Sequence, residues 1–441
     1  MKKIFIILSF LSVFFLTSCD KEFLPPTRPV QEEVIADRAG IIAVTNGLQL
    51  LWSSGRQSPV YTTVTATGFT TKELKLLNAG NADEAELLAG GNTLSSKNGL
   101  TNNLWSQCLI IKSESQRVLN NLNVLTIPTE QNNVKIHASI YKAMALATLV
   151  QYFEKVPIQI AKNASFNTKA EVLAEAINTL KSVEPILALA VENSNGFSGL
   201  VGTIKYKNTV YALLARYYLM AGDNNNALTY ANLVDLTSVS TLFYDTVRPN
   251  AIAFSSILTN NVYQPIDNTT LGLPTGLFPA ATDGRLGFYT KLVSTTDFIP
   301  VTTVRAKGFF DNNEKLILVY LPSEMTLIKA EAFARKNMLP EAVVELNKIL
   351  TRTTTVVSDE KAATYYRNLA ANLPAYSGAI DQTDILTEIF KNRCLELYMS
   401  GLKLEDSKRF GRPVSERNRN FYPYPDSERF NNTNTPTDPT F

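Results

Sequence analysis

The feature that most restricts the fold of this chain is a helix–turn–helix pattern that occurs twice. Residues 209–228 read as a helix, a Gly-Asp turn and the beginning of a second helix, and residues 324–343 repeat that order. Equivalent positions carry residues of the same kind at one constant offset: Ala215 and Ala330, Tyr218 and Phe333, Ala227 and Ala342. We therefore expect two similar helix pairs in the folded chain.

A small residue, an aromatic residue, a turn and then alanine form the arrangement of tetratricopeptide-like helix pairs. The alanines allow two helices to cross closely, and the aromatic side chain fills the groove between them. A stand-alone solenoid has tandem units about 34 residues apart, whereas the units here lie near residues 205–236 and 324–350. The pattern therefore predicts helix pairs embedded in one larger all-α domain.

Apolar periodicity predicts three further helices, at residues 31–51, 104–122 and 136–152. The third is rich in alanine, which favours close helix packing, and it stops before Pro157. These helices strengthen the prediction of an all-α fold.

Three stretches lack helical periodicity: residues 53–70, 89–103 and 236–319. The first two are rich in serine, threonine, glycine or asparagine and are predicted to be loops. The longest carries several prolines and many aromatic residues, and the aromatic content argues against disorder. Because a long irregular insertion in a compact domain is usually functional, we expect binding loops there.

The N-terminus predicts a secreted, lipid-anchored protein. Lys2 and Lys3 precede an apolar run over residues 4–16, which is shorter than the roughly 20 residues that span a bilayer. The run ends in Leu-Thr-Ser-Cys, the pattern of a bacterial lipobox, with Cys19 as the acylated residue. We predict a signal peptide at 1–18, a lipidated tether at 19–30 and a single α-helical domain at 31–441.

Charge excludes one class of partner. The chain has 42 basic and 40 acidic side chains, and loss of residues 1–18 removes two lysines and no acid. The mature chain is therefore balanced, and it lacks the basic excess that nucleic-acid binding requires. Besides Cys19, two cysteines remain, Cys108 and Cys394. They are expected either as buried free thiols or as a disulfide.

The sequence gives no support for catalysis, a cofactor or a metal site. His137 is the only histidine and lies among apolar residues of a predicted helix, so we expect it to be structural. Zinc-binding, nucleophile-elbow and phosphate-loop motifs are absent from the sequence. Arg393 and Glu396 lie one helical turn apart, which allows an intrahelical or a helix–helix ion pair, and with Asp406 and Arg409 they are interpreted as structural. We expect a binding protein that is not an enzyme.

The order of motifs along nearly the whole mature chain resembles the SusD/RagB family. The lipobox is followed by Asp-Lys-Glu-Phe-Leu, and the most specific match runs from Ile389 to Gly411. The other matching segments are Leu104-Trp105-Ser106, Ala143 to Pro157, Asp283-Gly284-Arg285-Leu286, Leu327 to Ala334, and Tyr422 to Glu428.

This resemblance implies a SusD-like domain, built on tetratricopeptide-like helix pairs with long irregular binding loops. It also implies an outer-membrane lipoprotein at the cell surface, attached to the membrane through its lipid only. Such a protein captures a nutrient, mostly an oligosaccharide and in the RagB branch a peptide, and delivers it to a SusC-like TonB-dependent transporter. The alternative is a helical-repeat surface scaffold that binds proteins.

Sugar recognition uses aromatic faces against the rings and polar groups against the hydroxyls. Trp105 belongs to a fold-bearing motif and is expected in the core, whereas Trp52 ends a predicted helix beside an irregular stretch. The candidate substrate-binding residues, taken from that position and from the irregular regions, are Trp52, Tyr61, Phe69, Asn92, Tyr263 and Phe278.

Overall fold

This computed structural model describes residues 34–191, 203–257, 261–294, 302–357 and 360–440. Cys19, the predicted signal peptide and the predicted tether lie outside the described residues. The described chain is mainly helical, which confirms the all-α prediction. Its α-helices are α1 Arg38–Ser53, α2 Pro59–Thr70, α3 Ala82–Ala89, α4 Gly99–Asn120, α5 Pro128–Tyr152, α6 Lys169–Lys181, α7 Tyr206–Met220, α8 Asn224–Leu233, α9 Ala251–Ile257, α10 Gly284–Tyr289, α11 Pro322–Arg335, α12 Leu339–Leu350, α13 Glu360–Tyr366, α14 Gln382–Glu396, α15 Lys403–Arg409 and α16 Asp426–Asn431.

The strands are short and pair two by two in antiparallel ribbons. They are β1 Leu74–Leu76, β2 Lys155–Pro157, β3 Phe166–Thr168, β4 Thr241–Leu242, β5 Tyr263–Pro265, β6 Thr290–Ser294, β7 Thr302–Ala306 and β8 Ile317–Leu318. The pairs are β1 with β5, β2 with β3, β4 with β8, and β6 with β7. Three of these ribbons involve the insertion at 236–319, so that segment is held in place by pairing rather than by long helices.

Both predicted helix pairs are present, as α7 with α8 and α11 with α12. Ala215 and Ala330 are completely buried, as expected for residues where two helices cross closely. In the first pair Tyr218 stacks on Tyr230 at 5.5 Å between ring centroids. The two pairs pack on each other through α8 and α11, and α14 packs against the second pair.

Helices α1, α4 and α5 confirm the other periodicity predictions, and α4 packs along α5 in the core. Trp105 on α4 is 2% exposed, and its Nε1 donates to Glu428 Oε2 at 3.1 Å. Its ring packs edge-on against Phe153 and Tyr424. The C-terminal motif is therefore folded back onto the N-terminal part of the core.

The prediction of a loop at residues 53–70 is wrong for most of its length, because α2 occupies residues 59–70. Ser58 caps this helix by accepting from Tyr61 N, and Pro59 sits in its first turn, where the missing N–H costs nothing. Ten of its twelve residues are buried, and the threonine hydroxyls are hydrogen-bonded. For example, Thr67 bonds to the Tyr152 hydroxyl at 2.8 Å, and Thr70 to that of Tyr422 at 2.9 Å. None of the described helices is long and apolar enough to cross a bilayer.

Candidate functional site

Three of the six predicted site residues meet in the protein core. Tyr61, Phe69 and Tyr263 are each 0% exposed. The Tyr263 ring lies 6.4 Å from that of Tyr61 and 5.9 Å, edge-on, from that of Phe69. Strand β5 carries Tyr263 beneath α2 because it pairs with β1, which directly follows that helix. The structure corrects the prediction for these three residues, because rings without exposed surface cannot contact a solute.

The other three predicted residues occupy different places. Asn92 is exposed in a short 3₁₀ turn, Gly91–Thr93, and lines none of the cavities described below. Trp52 is 7% exposed and lines an interior cavity. Phe278 is 49% exposed and lines an open groove. The structure therefore does not bring the six residues together at one site.

The Phe278 groove is an open depression of about 510 Å³. One wall is the loop at 268–270, another is the loop carrying Phe278, and the floor and far wall come from α10 and β6. The side chains that define it are Asn268, Thr270, Phe278, Leu286, Lys291 and Leu292. An exposed aromatic ring, an amide, a hydroxyl and an ammonium group thus border one groove.

The loop beside the groove is held by Asp267. Its Oδ1 accepts from Thr269 N at 2.8 Å and from Leu271 N at 3.2 Å, and its Oδ2 accepts from the Thr270 hydroxyl. Burial alone would raise the pKa of Asp267, but these hydrogen bonds outweigh it and lower the pKa. The groove therefore has a wall whose conformation is fixed before any ligand arrives.

The same loop is also fastened to the core at Gly272. Its φ is +74°, and a Cβ at this position would lie 2.0 Å from the backbone oxygen of Lys72. Lys403 Nζ donates to Gly272 O at 3.0 Å. Only glycine permits this close approach, so the loop cannot be moved outward without breaking these contacts.

Sequence reasoning missed the polar residues of the groove, Asn268, Thr270 and Lys291, and also Gly287 on α10. The run Asp267-Asn-Thr-Thr offered a signal, since an aspartate followed by hydroxyl residues is typical of an ordered side-chain-capped turn. Gly287 faces open space, with no atom within 4 Å of a Cβ built there. Its lack of a side chain keeps the groove floor clear.

The Trp52 cavity is an interior space of about 130 Å³ between α1, α2, α5, α7 and the insertion. Aromatic side chains form much of its wall, and polar side chains from α5 and α7 also reach it. The residues that define it are Trp52, Thr148, Gln151, Arg216, Tyr217 and Tyr289. Arg216 is held by Glu324, with Nε–Oε1 and Nη2–Oε2 distances of 2.6 Å each.

The buried charged residues near the C-terminus form ion pairs, as predicted, but Arg393 and Glu396 have other partners than each other. Arg393 does not pair with Glu396; its Nε and Nη2 donate to Asp406 at 2.8 and 3.0 Å. Glu396 instead accepts from Arg352 and lies 3.5 Å from Arg285 Nη1. Of the two predicted alternatives, the structure shows pairing between segments and not within one helix, and the interpretation as structural ion pairs agrees with the burial of both side chains.

The histidine and the two cysteines outside the predicted lipobox are enclosed in the core. His137 is 0% exposed, packs against Tyr141 at 4.8 Å, and has a pKa lowered by burial to about 3. Cys108 and Cys394 are buried free thiols, and burial raises the pKa of each. Within the described ranges no cluster of histidine, cysteine or acidic side chains could hold a metal ion.

No family model matches the sequence, and no curated protein does. Solved structures do match. A SusD superfamily protein of Bacteroides fragilis is 13% identical, with a TM-score of 0.67, over 91% of this chain and 99% of its own. A SusD-like carbohydrate binding protein of Bacteroides vulgatus is 18% identical, with a TM-score of 0.67, over 90% and 97%. A SusD superfamily protein of the same species is 15% identical, with a TM-score of 0.64, over 93% and 99%. At these identities the likeness concerns the fold, and the chain has the fold of the SusD superfamily.

Proposed function

We propose that this protein is a cell-surface lipoprotein that binds an oligosaccharide in the Phe278 groove and delivers it to a SusC-like TonB-dependent transporter. The observation that carries the binding proposal is the half-exposed Phe278 ring at a groove bordered by amide, hydroxyl and ammonium groups. A pyranose presents C–H groups on its faces and hydroxyls at its rim, and this groove offers a partner for each. One of the similar structures is itself described as a carbohydrate binding protein.

The shape of the groove favours a chain of sugars over a single one. It is open along its length, and a volume of about 510 Å³ is in the range of ligand sites for molecules of several rings. The ammonium of Lys291 on one wall is exposed. It can donate to hydroxyl or ring oxygens, so the ligand does not have to be an anion. The fixed Asp267 turn lowers the ordering cost of binding.

Two paired substitutions test the groove. Phe278→Ala removes the stacking face, and Gly287→Leu places a side chain on the floor, at a position where a Cβ meets no neighbouring atom. By calorimetry with oligosaccharide pools, we expect Phe278→Ala to weaken binding about tenfold and Gly287→Leu to abolish it. The matched controls are Phe430→Ala, at a ring 84% exposed that lines none of the described cavities, and Gly47→Leu, at another glycine with open space.

The outcome with other ligands decides between functions. Saturable binding of peptides in place of oligosaccharides would indicate the RagB-like function. Binding of neither pool, with both groove variants indistinguishable from the unsubstituted chain, would exclude the groove as a nutrient site and favour a protein-binding scaffold.

The lipid anchor and the transporter rest on the sequence, and they need separate tests. Cys19→Ala should move the protein from the membrane fraction to the soluble fraction without lowering its melting temperature. Retention of that variant in the membrane would contradict the anchor. Co-purification of a TonB-dependent barrel with the unsubstituted protein after mild detergent extraction would support the delivery role, and its absence would count against it.

A further inference from the structure

We infer that the Trp52 cavity is a second binding site, for one uncharged ring that carries hydroxyl groups. This inference goes beyond the oligosaccharide function and does not depend on it. The cavity and the Phe278 groove have no lining residue in common. They lie on neighbouring residues of one segment, because Tyr289 lines the cavity while the next two residues, Thr290 and Lys291, line the groove.

The walls of the cavity have the size and character of a ring site. Its volume of about 130 Å³ is close to that of an engineered cavity of about 150 Å³ that accepts benzene. Trp52, Tyr289 and Phe309 contribute aromatic surface, and the Tyr289 ring lies 6.5 Å from that of Phe309. Tyr289 is itself fixed, since its hydroxyl donates to Glu396 O at 2.7 Å. A flat ring can therefore enter between walls that are already in place.

Polar groups without partners converge on this space, and they point to hydroxyl groups on the ligand. Tyr217, Gln151 and Thr148 all line the cavity and are 2%, 6% and 7% exposed. Within the described part of the chain, the hydroxyls of Tyr217 and Thr148 and the Oε1 of Gln151 make no hydrogen bond, although Gln151 Nε2 donates to Ala147 O. These three atoms have no protein partner and are accessible from the cavity, so an occupant of the cavity has to supply their donors and acceptors.

The charge balance at the cavity selects an uncharged ligand. Arg216 donates Nε and Nη2 to Glu324 and to the Val319 carbonyl, which leaves Nη1 without a partner in the described residues. The carboxylate already neutralises the guanidinium, and an added anion or cation would meet an unfavourable like charge in a space of low dielectric. The free N–H can still donate to a hydroxyl oxygen.

Water is the competing occupant. At about 30 Å³ for each molecule, the cavity would hold about four waters, and these could also satisfy the polar groups. The mouth is open enough for exchange, because Ser400 is exposed and Val60 and Thr63 are half-buried at the edge of the cavity. The two occupants differ in one property: a ring ligand binds saturably and contacts the aromatic walls, and water does not.

Calorimetry of the full chain with single-ring compounds tests the inference, with D-glucose, D-galactose, myo-inositol and phenol as probes. We expect saturable binding of at least one probe, together with a change in tryptophan fluorescence. The chain has two tryptophans, and Trp105 lies in a different part of the core. In a Trp52→Phe variant the fluorescence change should therefore disappear.

Tyr217→Phe is the decisive variant because it deletes a hydroxyl that bonds to no described residue. We expect probe affinity to fall by about threefold to tenfold, the range for loss of one hydrogen bond, with no decrease in melting temperature. Val60→Phe should block the cavity, and its control Val44→Phe, at a half-buried valine of the core that does not line the cavity, should not.

Three results would overturn the inference. The first is no saturable binding of any probe, which would make the cavity a hydrated void. The second is binding that Tyr217→Phe and Val60→Phe leave unchanged. The third is probe binding abolished by Phe278→Ala or Gly287→Leu, which would place the ring in the groove. Probe binding unaffected by those two groove variants supports the cavity even if no oligosaccharide binds.

Discussion

Glu73 is a buried carboxyl group with few polar neighbours, and it predicts an unusual dependence of stability on pH. It is 1% exposed, and neither carboxyl oxygen has a partner within the described residues. Burial raises its pKa to about 7, although the charge of Lys403 and the nearby backbone N–H of Met399 act in the opposite direction; the charge of Asp406 adds to the increase. The folded chain therefore keeps this proton at pH values where the unfolded chain has released it.

The sign and size of the effect follow from proton linkage. The ordinary pKa of the group is 4.5 and the folded value is about 7. Between these values the folded state binds more protons, so stability falls as pH rises, by about 1.4 kcal/mol for each pH unit. Above about pH 7 the free energy of unfolding is lower by about 3 kcal/mol in total, and this difference stays constant.

Glu73→Gln removes the ionisation and nearly preserves the shape of the side chain. We expect the variant to match the unsubstituted chain near pH 4 and to exceed its free energy of unfolding by about 3 kcal/mol at pH 8. Urea unfolding followed by circular dichroism across this range measures the difference. If both proteins lose stability equally between pH 4 and pH 8, the ionisation of Glu73 is not its cause.

Glu331 is the matched control, because it is equally buried but fully paired. It accepts from Arg409 at 2.8 and 2.9 Å and from Arg335 at 2.8 Å. Burial would raise its pKa, but these arginines and Arg393 outweigh it and lower the pKa to about 2. Its contribution to stability is therefore present above about pH 4.5 and lost in acid. Glu331→Gln should lower the free energy of unfolding by about 3 kcal/mol or more at pH 8. The two glutamine variants are expected to change stability in opposite directions at that pH.

Three further substitutions, one of them with a matched control, test the fold and the groove wall. Gly272→Ala should lower the melting temperature and weaken oligosaccharide binding, since its Cβ would stand 2.0 Å from a backbone oxygen. Its control is Gly276→Ala, which is also at positive φ but has free space around the Cβ. The control should cost only about 1 kcal/mol of strain. Trp105→Phe should lower the free energy of unfolding by about 1 kcal/mol through loss of the hydrogen bond to Glu428. Ala215→Leu should cost about 1–3 kcal/mol in urea unfolding by forcing α7 away from its neighbours; an unchanged value would show that the helices do not cross closely there.

The sequence predicted those helices whose pattern of apolar and small residues lies within the helix itself. The two helix pairs and α4 and α5 each carry apolar or alanine positions at helical spacing, because one face of each meets the core. Helix α2 was missed because it is buried on nearly all sides and lined with threonine. Its polar residues satisfy their hydroxyls inside the core, so no polar face marks the helix in the sequence.

Sequence patterns also do not show which side chains and strands pair when they lie far apart in the chain, because that information is not local. The spacing of Arg393 and Glu396 allows an intrahelical pair, but Arg393 is drawn to Asp406 and Glu396 to Arg352 and Arg285. Likewise, Tyr263 is buried under α2 only because β5 pairs with β1, almost two hundred residues earlier in the chain. A burial that depends on such a long-range contact cannot be inferred from the irregular segment that contains the residue.

The residues of the Trp52 cavity show what a sequence can reveal when an element is predicted correctly. Thr148 and Gln151 stand three residues apart in the alanine-rich part of α5, and Arg216 and Tyr217 interrupt the apolar run of α7. Polar residues within predicted core helices are costly unless something satisfies them, so their presence is itself a signal. The sequence does not show whether protein or ligand satisfies them. The structure supplies that part: Arg216 has Glu324, and the free groups of the others face one cavity. The strongest reason to look for a ligand there is therefore the set of polar atoms that the fold brings together and leaves without a protein partner.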